Sequence, residues 1–105
     1  MTEIRYREDA VTRVLIFDAV GHAGEEKEGE NLICAAMTAV VLLLAEYAEK
    51  HGGEAVVEPG EAHVSLSAVT PGRYEWAREV FRAAADAALG LADAYPEAVR
   101  VKGAG

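Results

Sequence analysis

The sequence predicts a two-layer α/β fold of the α+β kind, with element order ββαββαβ, a mostly antiparallel sheet and two helices on one of its faces. Three observations lead there. Residues 3 to 8 and 62 to 68 alternate apolar and polar side chains with the period of half-exposed strands. Turn signals fall so close to these stretches that neighbouring strands must fold back as hairpins. Two long helical stretches each follow such a pair, and hairpins separated by helices favour an antiparallel sheet with both helices stacked on one side.

The first strand is residues 3 to 8, with Ile4 and Tyr6 on one side and Glu3, Arg5 and Arg7 on the other. "EDA" turns the chain into residues 12 to 20, "TRVLIFDAV", which are β-rich and apolar on both faces. That is the pattern of an inner strand covered on both sides, paired with the first as a hairpin. Asn31 is the expected N-cap of a first helix, because its side chain can accept from free amides at the helix start. This helix runs to about Lys50 and ends at "HGGE", where glycine supplies a left-handed exit. Its apolar residues surround the axis, so one sheet face cannot cover them all and a second helix or a second subunit must help.

Residues 54 to 58 and 62 to 68 form the next hairpin around "EPGE". Ala62, Val64, Leu66 and Ala68 point inward, while His63, Ser65 and Ser67 meet water or a partner. Thr70 and Pro71 open a second helix reaching about Asp93, with Ala77, Val80, Phe81, Ala84, Ala88 and Leu91 at helical spacing. Gly90 weakens its last turn, Tyr95-Pro96 stops it, and "AVRVKG" makes a last short strand before a frayed "GAG" tail.

With 105 residues, 51% of them hydrophobic, the chain supports one compact core and a single domain over residues 1–105. Eighteen acidic against ten basic residues give a net charge of -8, which repels nucleic acid and favours basic partners. One cysteine cannot form an internal disulfide, and "MTEIRYREDAV" lacks the basic-then-apolar order of a secretory signal, so a cytoplasmic setting is expected. The longest apolar run, Leu32 to Ala45, is broken only by Thr38 and is shorter than the roughly 20 residues a membrane crossing needs. No membrane partner is expected.

Chemistry concentrates in "GHAGEEKEGENLICAAM", residues 21 to 37. With Asn31 as cap, Cys34 is the third helical residue, where the helix dipole and free amides favour thiolate over thiol. A cysteine nucleophile needs an imidazole to take its proton, and His22 stands at the end of the apolar strand. The amides of Cys34 and Ala35 are then candidates to receive the oxyanion of an attacked carbonyl. Against this stands the plain alternative that Cys34 packs as a small hydrophobe, as free cysteines commonly do. A zinc site is the weaker option, since such sites want four ligands at short paired spacings and His51 and His63 fall on other elements. No metal and no cofactor are expected.

Gly21-His22-Ala23, a short glycine-containing loop, Gly29, Ile33-Cys34-Ala35-Ala36 and the hydroxyl of Thr38 together resemble the ribosomal-processing cysteine protease (Prp) family. The ββαββαβ order and the "YP" before the last strand extend the resemblance over most of the chain. It implies removal of a short N-terminal extension from the large-subunit ribosomal protein numbered twenty-seven, cut after a hydrophobic, phenylalanine-containing segment. It also implies that Cys34 is the nucleophile and His22 the base. Asn31 stands where that family typically has Asp, and Thr38 where it typically has Ser.

Asp18 is a poor orienting group for His22, because four residues of extended chain put it roughly 13 Å away at about 3.3 Å per residue. Asn31 is the better candidate, in addition to its capping role. Glu25, Glu26, Glu28 and Glu30 crowd the loop with Lys27 alone against them, and Gly24 and Gly29 loosen its backbone. Such a loop is either simply solvated or a flexible lid that attracts a basic ribosomal protein. Val40, Leu43, Leu44 and Tyr47 supply either core or a homodimer face. The rival functional reading is a non-catalytic acidic interaction module that binds a basic ribosomal or assembly partner.

Overall fold

The structure, a computed structural model, describes residues 1–21, 30–58, 60–68 and 70–104, with residues 30–34 and 104 as backbone. Its elements run β1 (Thr2–Asp9), β2 (Val14–Val20), α1 (Glu30–Lys50), β3 (Glu54–Glu58), β4 (Glu61–Ser67), α2 (Pro71–Ala94) and β5 (Val99–Ala104). The expected order and both hairpins are present. The sheet order is β3-β4-β2-β1-β5, and every neighbouring pair is antiparallel except β1 with β5.

Alternation decides which way each strand faces. Thr2, Ile4 and Tyr6 of β1, Leu15, Phe17 and Ala19 of β2, and Ala62, Val64 and Leu66 of β4 are buried on one face. Against that face pack Met37, Val41, Leu44, Ala45 and Ala48 of α1 with Tyr74, Ala77, Phe81, Ala84 and Ala88 of α2. Phe17 and Phe81 are fully buried, and sequestering each such side chain is worth about 1.5–3 kcal/mol.

Among the described residues no helix lies over the opposite face. The double-sided cover expected for β2 is therefore not found. Val14 and Ile16 are half-buried by their lateral neighbours in β1 and β4, and Val20 remains 47% exposed. The last strand also differs from expectation: Gly103 and Ala104 belong to β5, with Ala104 opposite Tyr6, instead of fraying. Pairing with β1 supplies backbone hydrogen-bond partners that an isolated tail would lack.

Local chemistry fixes the turns. Asp9 accepts the N–H groups of Val11 and Thr12 at 2.9 and 3.2 Å, which also holds its carboxyl below the usual range. Arg13 at φ 59 closes the hairpin and is tied to Ala68, accepting its N–H at 2.9 Å and donating Nε to its carbonyl at 3.2 Å. Thr70 caps α2 by accepting Arg73 N–H at 3.2 Å, Pro71 fills the first helical turn, and Tyr95 N–H donates to Leu91 at the other end. Gly53 lies so close to β4 that a Cβ there would meet the Ser65 carbonyl oxygen at 2.4 Å.

A polar clamp joins α2 to β1. Arg82 donates to both carboxylate oxygens of Glu8, and Tyr6 Oη donates to the same carboxylate at 2.6 Å. The guanidinium holds Glu8 below its ordinary pKa, whereas burial raises the phenol of Tyr6.

The second helix covers only part of α1. Leu44 is in the core, Val40 and Tyr47 are packed at its edge, and Leu42 and Leu43 remain 49% and 73% exposed. Among the described residues no helix is long and apolar enough to cross a membrane.

Candidate active site

Residues 22–29 connect the end of β2 to the start of α1. His22, Gly24 and Gly29, and with them the expected base and lid, lie outside the described residues. The backbone of Cys34 is helical and belongs to α1.

The helix starts earlier than the capping argument placed it. Glu30 is already helical, so Asn31 lies inside α1 instead of ahead of it, and Cys34 is the fifth residue of the helix as described. An α-helix leaves its first four N–H groups without an intrahelical acceptor. Counted from Glu30, the amides of Cys34 and Ala35 come after those four, so they are free for an oxyanion only when the first turn opens. The dipole effect on a thiol, concentrated in the first turn, is correspondingly smaller at this position than at the third.

The frame around the connection is well defined. Gly21 has φ 100, its N–H donates to the Gly60 carbonyl at 2.8 Å, and its own carbonyl accepts from Thr2 Oγ1 at 3.5 Å. A Cβ at this position would lie 2.3 Å from the carbonyl oxygen of Met1. Glycine is therefore required immediately before His22, both for its dihedral freedom and for the close approach of a second backbone.

Beside Gly21 opens a cavity of about 320 Å³, within the range of pockets that take organic ligands. Its floor is apolar: Ala19, Met37, Val41 and Ala62 are buried. Thr38 lies on the α1 side, and Val57, Glu58 and Glu61 on the side of the β3–β4 hairpin. Met37 and Thr38 follow Cys34 by three and four residues, which places those positions on one face of the helix, a turn apart. The cavity thus meets the residue before His22 and the helical turn after Cys34. Elements distant in sequence converge there, and the sequence offered no signal for the β3–β4 hairpin's share.

A second grouping was also missed. His63 lies directly opposite Asp18 across the β2–β4 pair, on the open face of the sheet. Its Nδ1 is 2.8 Å from an Asp18 oxygen and its Nε2 is 2.7 Å from one of Glu61. Both ring nitrogens therefore face carboxylates, and the hydrogen bond to Glu61, followed by that to Asp18, raises the imidazole pKa. Polar alternation in two strands was the available signal, but the register that pairs Asp18 with His63 is not written in either strand alone. His51 is elsewhere: its ring lies 4.4 Å from that of Tyr47, about 25 Å along the helix axis from position 34.

Comparison with known proteins fits this architecture. SMU.848 from Streptococcus mutans superposes with a TM-score of 0.75 at 24% identity, covering 97% of this chain and 92% of that one. The essential ribosomal processing protease Prp from S. aureus, with a covalently linked product peptide, gives 0.75 at 17% identity, over 97% and 98% of the two chains. The same S. aureus protease with a substrate peptide gives 0.76 at 15% identity with the same coverage. These likenesses establish a shared fold. A comparison with curated proteins found no match. The family model for the cysteine protease Prp matches residues 1–100, nearly the whole sequence, and the chain therefore belongs to the Prp family of cysteine proteases.

Proposed function

We propose that the protein is a cytoplasmic, homodimeric endopeptidase that removes the short N-terminal extension of the large-subunit ribosomal protein numbered twenty-seven, with Cys34 as nucleophile and His22 as base. The observation that carries this reading is the position of the apolar cavity, between Gly21 on one side and Met37 and Thr38 on the other. A thiol nucleophile requires a cysteine, and Cys34 is the single one in the sequence.

In the reaction, the Cys34 sulfur attacks the scissile carbonyl carbon as His22 takes the thiol proton. His22 then protonates the departing amine, the carbon–nitrogen bond breaks, and a thioester remains. Water, deprotonated by His22, attacks the thioester and releases the new carboxylate. Because Cys34 is the fifth residue of α1, its ionisation depends more on His22 than on the helix dipole. Asn31, one turn earlier on α1, is assigned to orienting His22, and opening of the first turn gives the oxyanion the amides of Cys34 and Ala35. No metal or cofactor takes part.

Substrate chemistry supports the assignment. The S. aureus relative is a ribosomal processing protease seen with a substrate peptide and with a covalently linked product, as expected of a nucleophilic enzyme. A net charge of -8 attracts basic ribosomal proteins. The exposed Leu42 and Leu43 supply the apolar surface for a second copy.

Incubation with the extended ribosomal protein, read by mass spectrometry, tests the reading. One cleavage after the hydrophobic segment is expected, with loss of activity in Cys34→Ser and a fall of about 10²–10⁴-fold in His22→Ala. Cleavage at the normal rate by Cys34→Ser would overturn the assignment. Binding of the precursor by the unaltered protein without cleavage would instead favour the non-catalytic acidic module.

A further inference from the structure

The single tryptophan of the chain lies in the open. Trp76, on α2, is 75% exposed, although tryptophan ordinarily buries most of its large apolar surface. It stands at a cavity of about 440 Å³, larger than the one beside Gly21 and at the other end of α1.

The path of the chain makes this cavity. β3 leaves the end of α1 and β4 returns antiparallel to it, with Ser65 opposite Glu54, so α2 begins where α1 stops. Both helices cover the face of the sheet to which Leu66 belongs, and Leu66 and Ala68 are the buried floor between their ends. On α1, Tyr47 and His51 each stand one turn after a core residue, Leu44 and Ala48, and their ring centres are 4.4 Å apart. On α2, Arg73 and Trp76 each stand one turn before a residue packed on the core, Ala77 and Val80. The two pairs form facing walls.

Three ring systems around an apolar floor suit a flat apolar group. Arg73 supplies the charge. In a chain of net charge -8 its side chain makes no ion pair among the described residues. The positions three and four residues on, where a helical partner for it would stand, are Trp76 and Ala77. None of the residues lining the cavity is acidic, so no carboxylate there competes for the guanidinium, whose fork of donors matches one carboxylate. One guanidinium in an acidic protein does not suit a multiply charged anion.

We infer that this cavity is a binding site for an aromatic monocarboxylate, its ring held among Tyr47, His51 and Trp76 and its carboxylate paired with Arg73. His51 is about 25 Å along α1 from position 34, so the site is separate from the one assigned to Cys34 and does not depend on the protease reading.

Trp76 supplies the readout, because no other tryptophan contributes to the emission. The full chain is titrated with hydrocinnamate, with the uncharged hydrocinnamamide of the same shape, and with butyrate, which carries the charge without the ring. Hydrocinnamate should change the emission saturably and bind at least about tenfold more tightly than either control. Arg73→Gln should abolish the preference for the acid over the amide, and Arg73→Lys, which keeps the charge but loses the fork, should retain part of it. Thermal melting confirms that each variant is folded. Cys34→Ser should bind hydrocinnamate as the unaltered protein does, whatever its effect on cleavage. Equal affinity for acid and amide, a preference that survives in Arg73→Gln, or the lack of any saturable change at Trp76 would overturn the proposal. So would emission that changes on dilution without ligand, which would assign the cavity to a second copy of the chain.

Discussion

Replacing Gly21 by alanine should unseat the entrance to the candidate site. Its φ of 100 lies where L-residues are strained, and the added Cβ would sit 2.3 Å from the Met1 carbonyl oxygen and 3.4 Å from its carbon. The first of these is far inside contact distance, and the atom it meets is backbone. Met1 cannot yield easily, because the next residue donates its N–H to Ala98 at 2.8 Å and β1 is paired on both sides, with β2 and β5. Gly21 itself is fixed by its 2.8 Å bond to Gly60.

Backbone strain of this kind costs about 1–3 kcal/mol. Alanine also reduces the freedom of the unfolded chain, which returns about 0.4–1 kcal/mol. Strain exceeds that gain at the middle of both ranges, so Gly21→Ala should lose about 1 kcal/mol, lowering Tm by about 4–8 °C for each kcal/mol. Denaturant titration measures the first quantity and calorimetry the second. Peptide cleavage well below the new Tm should fall further than the folded fraction does, since the strain is relieved by moving the chain that leads into His22. A variant with unchanged Tm and unchanged turnover would refute the argument that this approach is tight and that it positions the base.

Two further outcomes follow from other parts of the molecule. His63 should titrate above 6.5 by proton NMR, and Glu61→Gln should bring its midpoint down. Because the folded-state value is raised, the stabilisation it gives is complete below its ordinary pKa of 6.5 and is lost as pH rises through the elevated one. Its side chain is 44% exposed, so solvent keeps the effect small, and it is read as a slope of Tm against pH that His63→Asn abolishes. Leu43→Glu should convert a dimer to monomer in analytical ultracentrifugation while leaving the fold intact, because Leu43 is 73% exposed; the same mass with and without the substitution would count against that face.

Much of the architecture was legible because strand and helix periods are short-range. Ile4 and Tyr6, then Leu15 and Phe17, repeat at two residues, and Thr70-Pro71 marks a helix start that the structure keeps. Long-range choices were less visible. Nothing local to "VRVKGA" says that it lies parallel to β1, since pairing depends on where α2 delivers it. Leu43 and Leu44 are adjacent and chemically identical, yet Leu44 is 1% exposed and Leu43 73%, because helix rotation against the sheet decides between them. Asn31 was read as the residue ahead of α1 and lies within it, because a capping preference read from one residue competes with the helix propensity of its neighbours. Cys34 and His22 were chosen on thiol chemistry and resemblance. The cavity could not be seen in the sequence, because it exists only where β2, α1 and the β3–β4 hairpin meet.

The partnership of β1 with β5 has a consequence for how the molecule comes into being. Strands drawn from opposite ends of the sequence must find each other, and closing so long a stretch of chain carries an entropic penalty that slows the search. Synthesis proceeds from the N-terminus, so β1 can zip to β2 early while its other margin waits for a strand made last. During that interval the bare margin of β1 is open to strands of other polypeptides. Shortening the chain by its last strand would make the vulnerability permanent, and aggregation during expression should report it.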